Sequence, residues 1–154
     1  MNRILRLALA ALAILGLPAL ATAKERDVSI GLQAAVTSMD PHYHNLSPNN
    51  SMMLHVFEPL IKRDANQKLV PGLATAWRAV DDLTWEFKLR KNVRFHDGSP
   101  FTAEDVLFTL KRVPNVPNSP SSFATFTKPI VDVKVVDPHT IVFKTATPHV
   151  LLPS

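Results

Sequence analysis

Three histidines, His42, His44 and His55, fall within fourteen residues of one another, and Tyr43 sits between the first two. Two histidines two apart on an extended segment would point to one side, and imidazole suits nickel, zinc or copper. His42 and His44 therefore form a possible metal pair, for which the spacing supplies no third ligand. Tyr43 offers a different chemistry, because its ring can stack on a solute while its hydroxyl donates a hydrogen bond. A second chemical-looking block, residues 95–106, sets His96 beside Asp97 and ends in Glu104 and Asp105. Its residue types are also those of a turn and a helix start, and the structural reading is the stronger one. Catalysis has little support: Ser, His and Asp occur without a nucleophile elbow, a P-loop or a paired zinc-binding helix. The chain has no cysteine, which excludes a disulfide framework, a thiolate metal site and a cysteine nucleophile together. The pattern is that of a binder rather than an enzyme, and no motif asks for a cofactor.

The elements that would hold these residues can be read from periodicity. Residues 28–32 alternate apolar with small or polar side chains, which predicts a strand. Residues 37–50 carry Asp40-Pro41, Ser47-Pro48 and Asn49-Asn50, the signals of a long loop. A helix should begin near Asn49 or Asn50, either of which can cap it, and present Met52, Met53, Val56 and Phe57 before Pro59 limits it. Trp85, Phe87 and Leu89 alternate with charged residues and predict a strand with one buried face, with Trp77-Arg78-Ala79-Val80 as its partner across an Asp81-Asp82 turn. Asp97-Gly98-Ser99-Pro100 is a turn signal, and behind it Thr102 and Asp105 are placed to cap a helix from Ala103 to Arg112. That helix carries Ala103, Val106, Leu107 and Leu110 on one face and Lys111 and Arg112 in its last turn. Phe95 and Phe101 are expected in the core. Pro114, Pro117 and Pro120 make residues 114–121 a loop, after which residues 122–127 can form a short helical turn presenting Phe123 and Phe126. Val131, Val133 and Val135 should then run into Asp137-Pro138 and back through Ile141 and Phe143 as a hairpin.

The first residues belong to another class. Arg3 and Arg6 precede an uncharged apolar run over residues 7–17, Pro18 breaks it, and Ala21-Thr22-Ala23 supplies the small residues that a signal peptidase requires. Residues 1–23 are read as a cleaved secretory leader, with cleavage after Ala23, and the 11-residue run is short of the about 20 that a membrane-crossing helix needs. Lys24 stands where a lipoprotein would need cysteine, so the expectation is a soluble periplasmic protein without stable membrane insertion. Without the leader, 15 basic side chains face 13 acidic ones, scattered rather than clustered, and nucleic-acid binding finds no support. The end of the sequence, a proline-bounded apolar stretch closing at Ser154, reads as an interrupted chain.

The order of motifs resembles the peptide, dipeptide and nickel class of extracytoplasmic solute-binding proteins of ABC importers, solute-binding protein family 5. The blocks that carry the resemblance are Met39-Asp40-Pro41-His42, Phe57-Glu58-Pro59-Leu60, Val70-Pro71-Gly72-Leu73-Ala74 with Trp77, and Trp85-Glu86-Phe87-Lys88-Leu89-Arg90. The most specific runs from Val93 through Phe95-His96-Asp97-Gly98-Ser99-Pro100-Phe101-Thr102-Ala103-Glu104-Asp105 to Val106. The resemblance implies an α/β, periplasmic-binding-protein-like clamp of two lobes (type II). Residues 24–154 would supply only the N-terminal part of the first lobe and its extra subdomain. It also implies a monomeric binder that passes a small solute to permease subunits of the importer. Peptide is the leading cargo, with nickel complexes, glutathione and short sugars as the others. In the family the loop after the first strand lines the cleft, so Met39, His42, Tyr43 and His44 become candidate solute contacts. Phe123 and Phe126 lie in what resembles the place where relatives put a cleft-facing aromatic, with core packing as the competing and slightly stronger reading. A stand-alone secreted domain, metal-binding through His42 and His44 or hydrolytic, is the competing class.

Overall fold

The computed structural model describes residues 27–153; the leader read over residues 1–23 lies outside them. Its centre is a four-stranded antiparallel sheet of β3 (Ala74–Asp81), β4 (Thr84–Leu89), β5 (Ile130–Asp137) and β6 (Thr140–Thr145), in the spatial order β3-β4-β6-β5. A separate hairpin pairs β1 (Ile61–Arg63) with β2 (Leu69–Pro71). The α-helices among the described residues are α1 (Ser47–Met53), α2 (Ala103–Arg112) and the single turn α3 (Ala124–Thr127), and a 3-10 turn, Val113–Asn115, follows α2.

The sheet forms where period-two alternation dictates a buried and a wet face. The register aligns Trp77, Phe87, Ile141 and Val135 in one cross-strand row and Ala79, Trp85, Phe143 and Val133 in the next. Phe87 and Phe143 pack with ring centroids 4.9 Å apart. The opposite side of β4 and β6 carries Glu86, Lys88 and Lys144, and Arg78 on β3 donates to Glu86 at 3.0 Å. Onto the apolar side α2 contributes Ala103 and Val106, which join Phe87, Leu89, Phe101, Ile141 and Phe143 in one buried cluster. Burying a side chain such as Phe87 or Ile141 stabilises the fold by about 1.5–3 kcal/mol each.

Helix α2 begins and ends where the residue types require. Thr102 is extended (φ −139°), its hydroxyl accepts from the Glu104 amide, and the Asp105 carboxylate accepts from the Thr102 amide at 2.7 Å, forming a reciprocal cap. The Ala103 amide donates to the Pro138 carbonyl at 2.9 Å, so the β5–β6 turn closes over the helix start. Gly98 in the preceding turn has φ +87°, a left-handed conformation that glycine adopts without strain.

Three resemblance blocks meet at one junction. Gly72 lies against the backbone of residues 59–60, donating to the Leu60 carbonyl, and a Cβ at this position would meet the carbonyl oxygens of Pro59 and Leu60. Arg90 donates to both carboxylate oxygens of Glu58 and to the Gly72 carbonyl at 3.2 Å. Lys62 also reaches Glu58. Hydrogen bonding from Arg90, reinforced by Lys62, holds the Glu58 carboxyl down at about 2.

Several expectations require correction. Residues 28–32 form no strand and leave Val28 82% exposed, because no described strand lies beside them to pair their backbone groups. The first helix starts at Ser47 with Pro48 in its opening turn, a position where proline loses nothing by lacking an N–H. Its N-cap is Leu46, with no side-chain bond, so neither Asn49 nor Asn50 caps it, and it stops at Met53, leaving Val56 and Phe57 exposed beyond it. Phe95 is exposed at the turn and touches the core only through an edge contact with Phe101, its ring centroid 6.0 Å away. Val131 is exposed because a register shift between Ile130 and Asp132 interrupts the alternation, so Ile130 rather than Val131 packs inward with Val133 and Val135.

Candidate functional site

The loop that holds Met39, His42, Tyr43 and His44 has almost no regular structure of its own, so its shape depends on where its polar groups find partners. One anchor is Asn49 on α1, only 1% exposed. Its amide oxygen accepts from the Thr37 amide at 3.1 Å and its amide nitrogen donates to the Thr37 hydroxyl at 3.1 Å. A second anchor is Asp40, whose two carboxylate oxygens accept from Arg112 at the end of α2, at 2.9 and 2.5 Å. This is a two-pronged guanidinium–carboxylate pair, the geometry that arginine's fork favours. The same Asp40 oxygen also accepts from the His42 amide at 2.9 Å.

Arg112 makes one further contact, its Nη1 lying 2.7 Å from His42 Nδ1. A guanidinium has only donors, so His42 must accept here through a bare Nδ1. Burial, reinforced by the positive charge of Arg112, pushes the His42 pKa below its ordinary value, which agrees with a neutral ring. Hydrogen bonding from Arg112 holds the Asp40 carboxyl at about 2, below its usual 3.8.

The loop is then joined to the segment that follows α2. Ser119 Oγ donates to the Tyr43 carbonyl at 2.6 Å, the Asn45 amide donates to the Ser121 carbonyl at 2.9 Å, and His44 and Ser121 form an isolated parallel bridge. Two residues past Ser121, the rings of Phe123 and Phe126 lie 6.1 Å apart and tilted by 40°. Tyr43 meets the His44 ring edge-on at 6.5 Å. Met39 is 56% and Phe126 61% exposed. Thus the two stretches singled out by sequence are hydrogen-bonded to each other over residues 43–45 and 119–121, although 76 positions separate Tyr43 from Ser119.

The metal alternative loses its geometric premise. Residues 41–43 form a turn rather than an extended run, so the two-apart argument for His42 and His44 does not apply. His42 Nδ1 faces a guanidinium that would repel a cation, and His44 Nδ1 is hydrogen-bonded to the Thr37 hydroxyl at 2.9 Å. No group of three or more His, Cys, Asp or Glu among the described residues is arranged to hold a metal ion. An open groove between α2, α3 and β5, lined by Leu107, Leu110, Lys111, Lys128 and Val133, includes none of the candidate contacts.

Sequence reasoning missed Arg112, Asn49 and Ser119. The sequence marks Arg112 only as a basic residue in the last turn of the helix, and its partner lies 72 positions away. The sequence marks Asp40 as a turn residue inside the Met39-Asp40-Pro41-His42 block, and its bond from the His42 amide fills that role without revealing the distant partner.

Comparisons with known proteins agree with this architecture. Residues 68–154 match the family model described as bacterial extracellular solute-binding proteins, family 5 Middle. The periplasmic oligopeptide-binding protein OppA of Salmonella typhimurium is 31% identical over 170 residues, an alignment that covers 91% of this chain and 31% of that protein. The structure of Burkholderia pseudomallei OppA superposes with a TM-score of 0.73 at 29% identity, over 79% of this chain and 27% of the other. Campylobacter jejuni NikZ, solved in complex with Ni(L-His), gives a TM-score of 0.57 at 30% identity, over 64% of this chain and 20% of the other. The chain thus spans about a third or less of the length of these relatives. No helix among the described residues is long and apolar enough to cross a membrane. With mixed α/β architecture, the capped-helix block and the 68–154 match in agreement, the chain belongs to family 5 of the bacterial extracellular solute-binding proteins.

Proposed function

We propose that this chain is the leading part of a periplasmic binding protein that carries peptides to the permease of an ABC importer. The observation that carries the reading is the family match over residues 68–154 together with relatives named for oligopeptide and murein-peptide binding. Residues 1–23 act as the export leader and are removed after Ala23, and the mature protein works as a soluble monomer in the periplasm. Met39, His42, Tyr43 and His44, with Phe123 and Phe126, contribute to the surface that meets the solute, His42 with its Nδ1 already taken by Arg112. Binding draws on burial of the solute between two lobes and on closure of one lobe against the other. The protein is a carrier and performs no chemistry on its cargo.

The test of cargo is thermal unfolding of the gene's full product with tri-alanine, glutathione or Ni(L-His) added in turn. The expected result is a rise in Tm with tri-alanine, because a ligand that binds only the folded form stabilises it by mass action. A rise with Ni(L-His) alone would move the cargo to metal complexes, in line with NikZ. A clamp needs both lobes, so residues 24–154 by themselves are expected to show negligible peptide affinity by calorimetry, and micromolar binding there would refute the clamp. N-terminal sequencing of the exported protein should begin at Lys24.

A further inference from the structure

We propose that Arg112 is a positioning residue that locks the two candidate contact stretches, residues 39–44 and residues 123–126, into one preformed surface. The proposal rests on the reading that these stretches face the solute. Its geometry stands apart from that reading.

A single guanidinium reaches across the chain. It grips Asp40 by both carboxylate oxygens and His42 by Nδ1, while its own backbone belongs to the last turn of α2. Directly after α2 the chain turns through residues 113–115 and runs on to Ser119 and Ser121, which hold the Tyr43 carbonyl and the Asn45 amide. Residues 39–45 are therefore held at both ends, at Asp40 by the helix and at residues 43–45 by the segment leading into Phe123. Tyr43 and His44 belong to the second anchor, and only Pro41 and His42 separate them from the first. Without Arg112 the first anchor is lost, leaving a turn with few backbone bonds of its own and a carboxylate without its partner.

The functional consequence is preorganisation. A contact surface assembled from two distant stretches must lose freedom when a ligand orders it, and a surface already fixed in the free protein avoids that loss. Lysine would be a poor replacement, because an ammonium is a point charge that cannot hold both carboxylate oxygens and the imidazole in one plane.

The experiment needs no ligand, so its outcome is separable from the choice of cargo. Site-specific incorporation of 3-fluorotyrosine at position 43 of the gene's full product gives one 19F signal that reports Tyr43 alone. In Arg112→Gln that signal should shift toward the position of free fluorotyrosine. Amide exchange over residues 38–45 should rise about tenfold or more while amides in β4 and β6 keep their protection. Asp40→Asn should act in the same direction and serves if Arg112→Gln fails to fold. The double variant Asp40→Arg with Arg112→Asp restores the ion pair but neither the acceptor for the His42 amide nor the donor to His42 Nδ1, so it should recover only part of the original signal and protection, and Arg112→Lys should recover little. An unchanged fluorine signal in both single variants overturns the proposal. So does a rise in exchange spread evenly over the sheet, since that would mark Arg112 as a general stabiliser.

Discussion

The sheet and the loop region are held by different forces. Around β4 and β6 the fold is maintained by contiguous apolar burial, with Phe87, Ile141 and Phe143 enclosed between the sheet and α2. Around residues 37–46 it is maintained by a small number of side-chain-to-backbone bonds and one ion pair, each depending on a single donor or acceptor. Burial is distributed and cooperative, so it tolerates the loss of any one polar contact. The loop has no such reserve, and single substitutions there should act locally. For the proposed binding role this division is useful, because the sheet supplies a fixed frame and the candidate contact residues sit on the segment whose shape is set by specific partners.

The sharpest way to break the contrast is in the core. Phe87→Ala, at a residue 2% exposed, should destabilise by about 3–5 kcal/mol in urea unfolding, lowering protection everywhere at once. Next is Gly72→Ala, whose new methyl meets the carbonyls of Pro59 and Leu60; about 1–3 kcal/mol should be lost, with Arg90 and Glu58 displaced as a visible sign. Asn49→Ala leaves the Thr37 amide without its acceptor and should lower stability by about 1–3 kcal/mol, yet proteolytic cleavage should increase near residues 37–40 before the sheet opens. Cleavage starting in the sheet would erase the proposed division. Thr102→Ala removes one half of the helix cap and should lower the unfolding free energy by about 1 kcal/mol.

The smallest effect is acid. Asp40 and Glu58 both have folded values depressed to about 2, from 3.8 and 4.5. A depressed carboxylate contributes stability that is present above its unfolded value and is lost as pH falls through the folded one. Stability should therefore decline between pH 4.5 and about 2, and because both carboxylates are partly open to water each should contribute no more than about 1 kcal/mol. Asp40→Asn should flatten the lower part of that curve.

What could be read in advance follows the same division. The alternation of Trp85, Phe87 and Leu89, the Asp137-Pro138 turn and the Thr102–Asp105 cap are local patterns whose physical meaning needs no knowledge of distant residues, and each led to the observed element. Residues 28–32 failed because a strand is defined by its neighbour, and alternation reports only one side of that pairing. Val131 failed because a register shift is a property of two strands together. At the candidate site, Tyr43 and Phe126 were visible as residue types and positions, but the turn around Tyr43 was not, and the bond from Ser119 and the fork of Arg112 join residues more than 70 positions apart. No periodicity encodes such a meeting.

The strand order has a consequence for how the chain assembles. β6 is last in sequence yet lies between β4 and β5, so β4 waits with one edge unpaired until residue 145 is available. A chain emerging from a narrow exit N-terminus first, whether from a ribosome or a translocation pore, therefore has no finished four-stranded sheet to present until residue 145 has passed. Before that point only the β3–β4 hairpin can pair, and the β5–β6 hairpin then supplies at one stroke the strand beside β4, the outer strand and the turn that covers the start of α2.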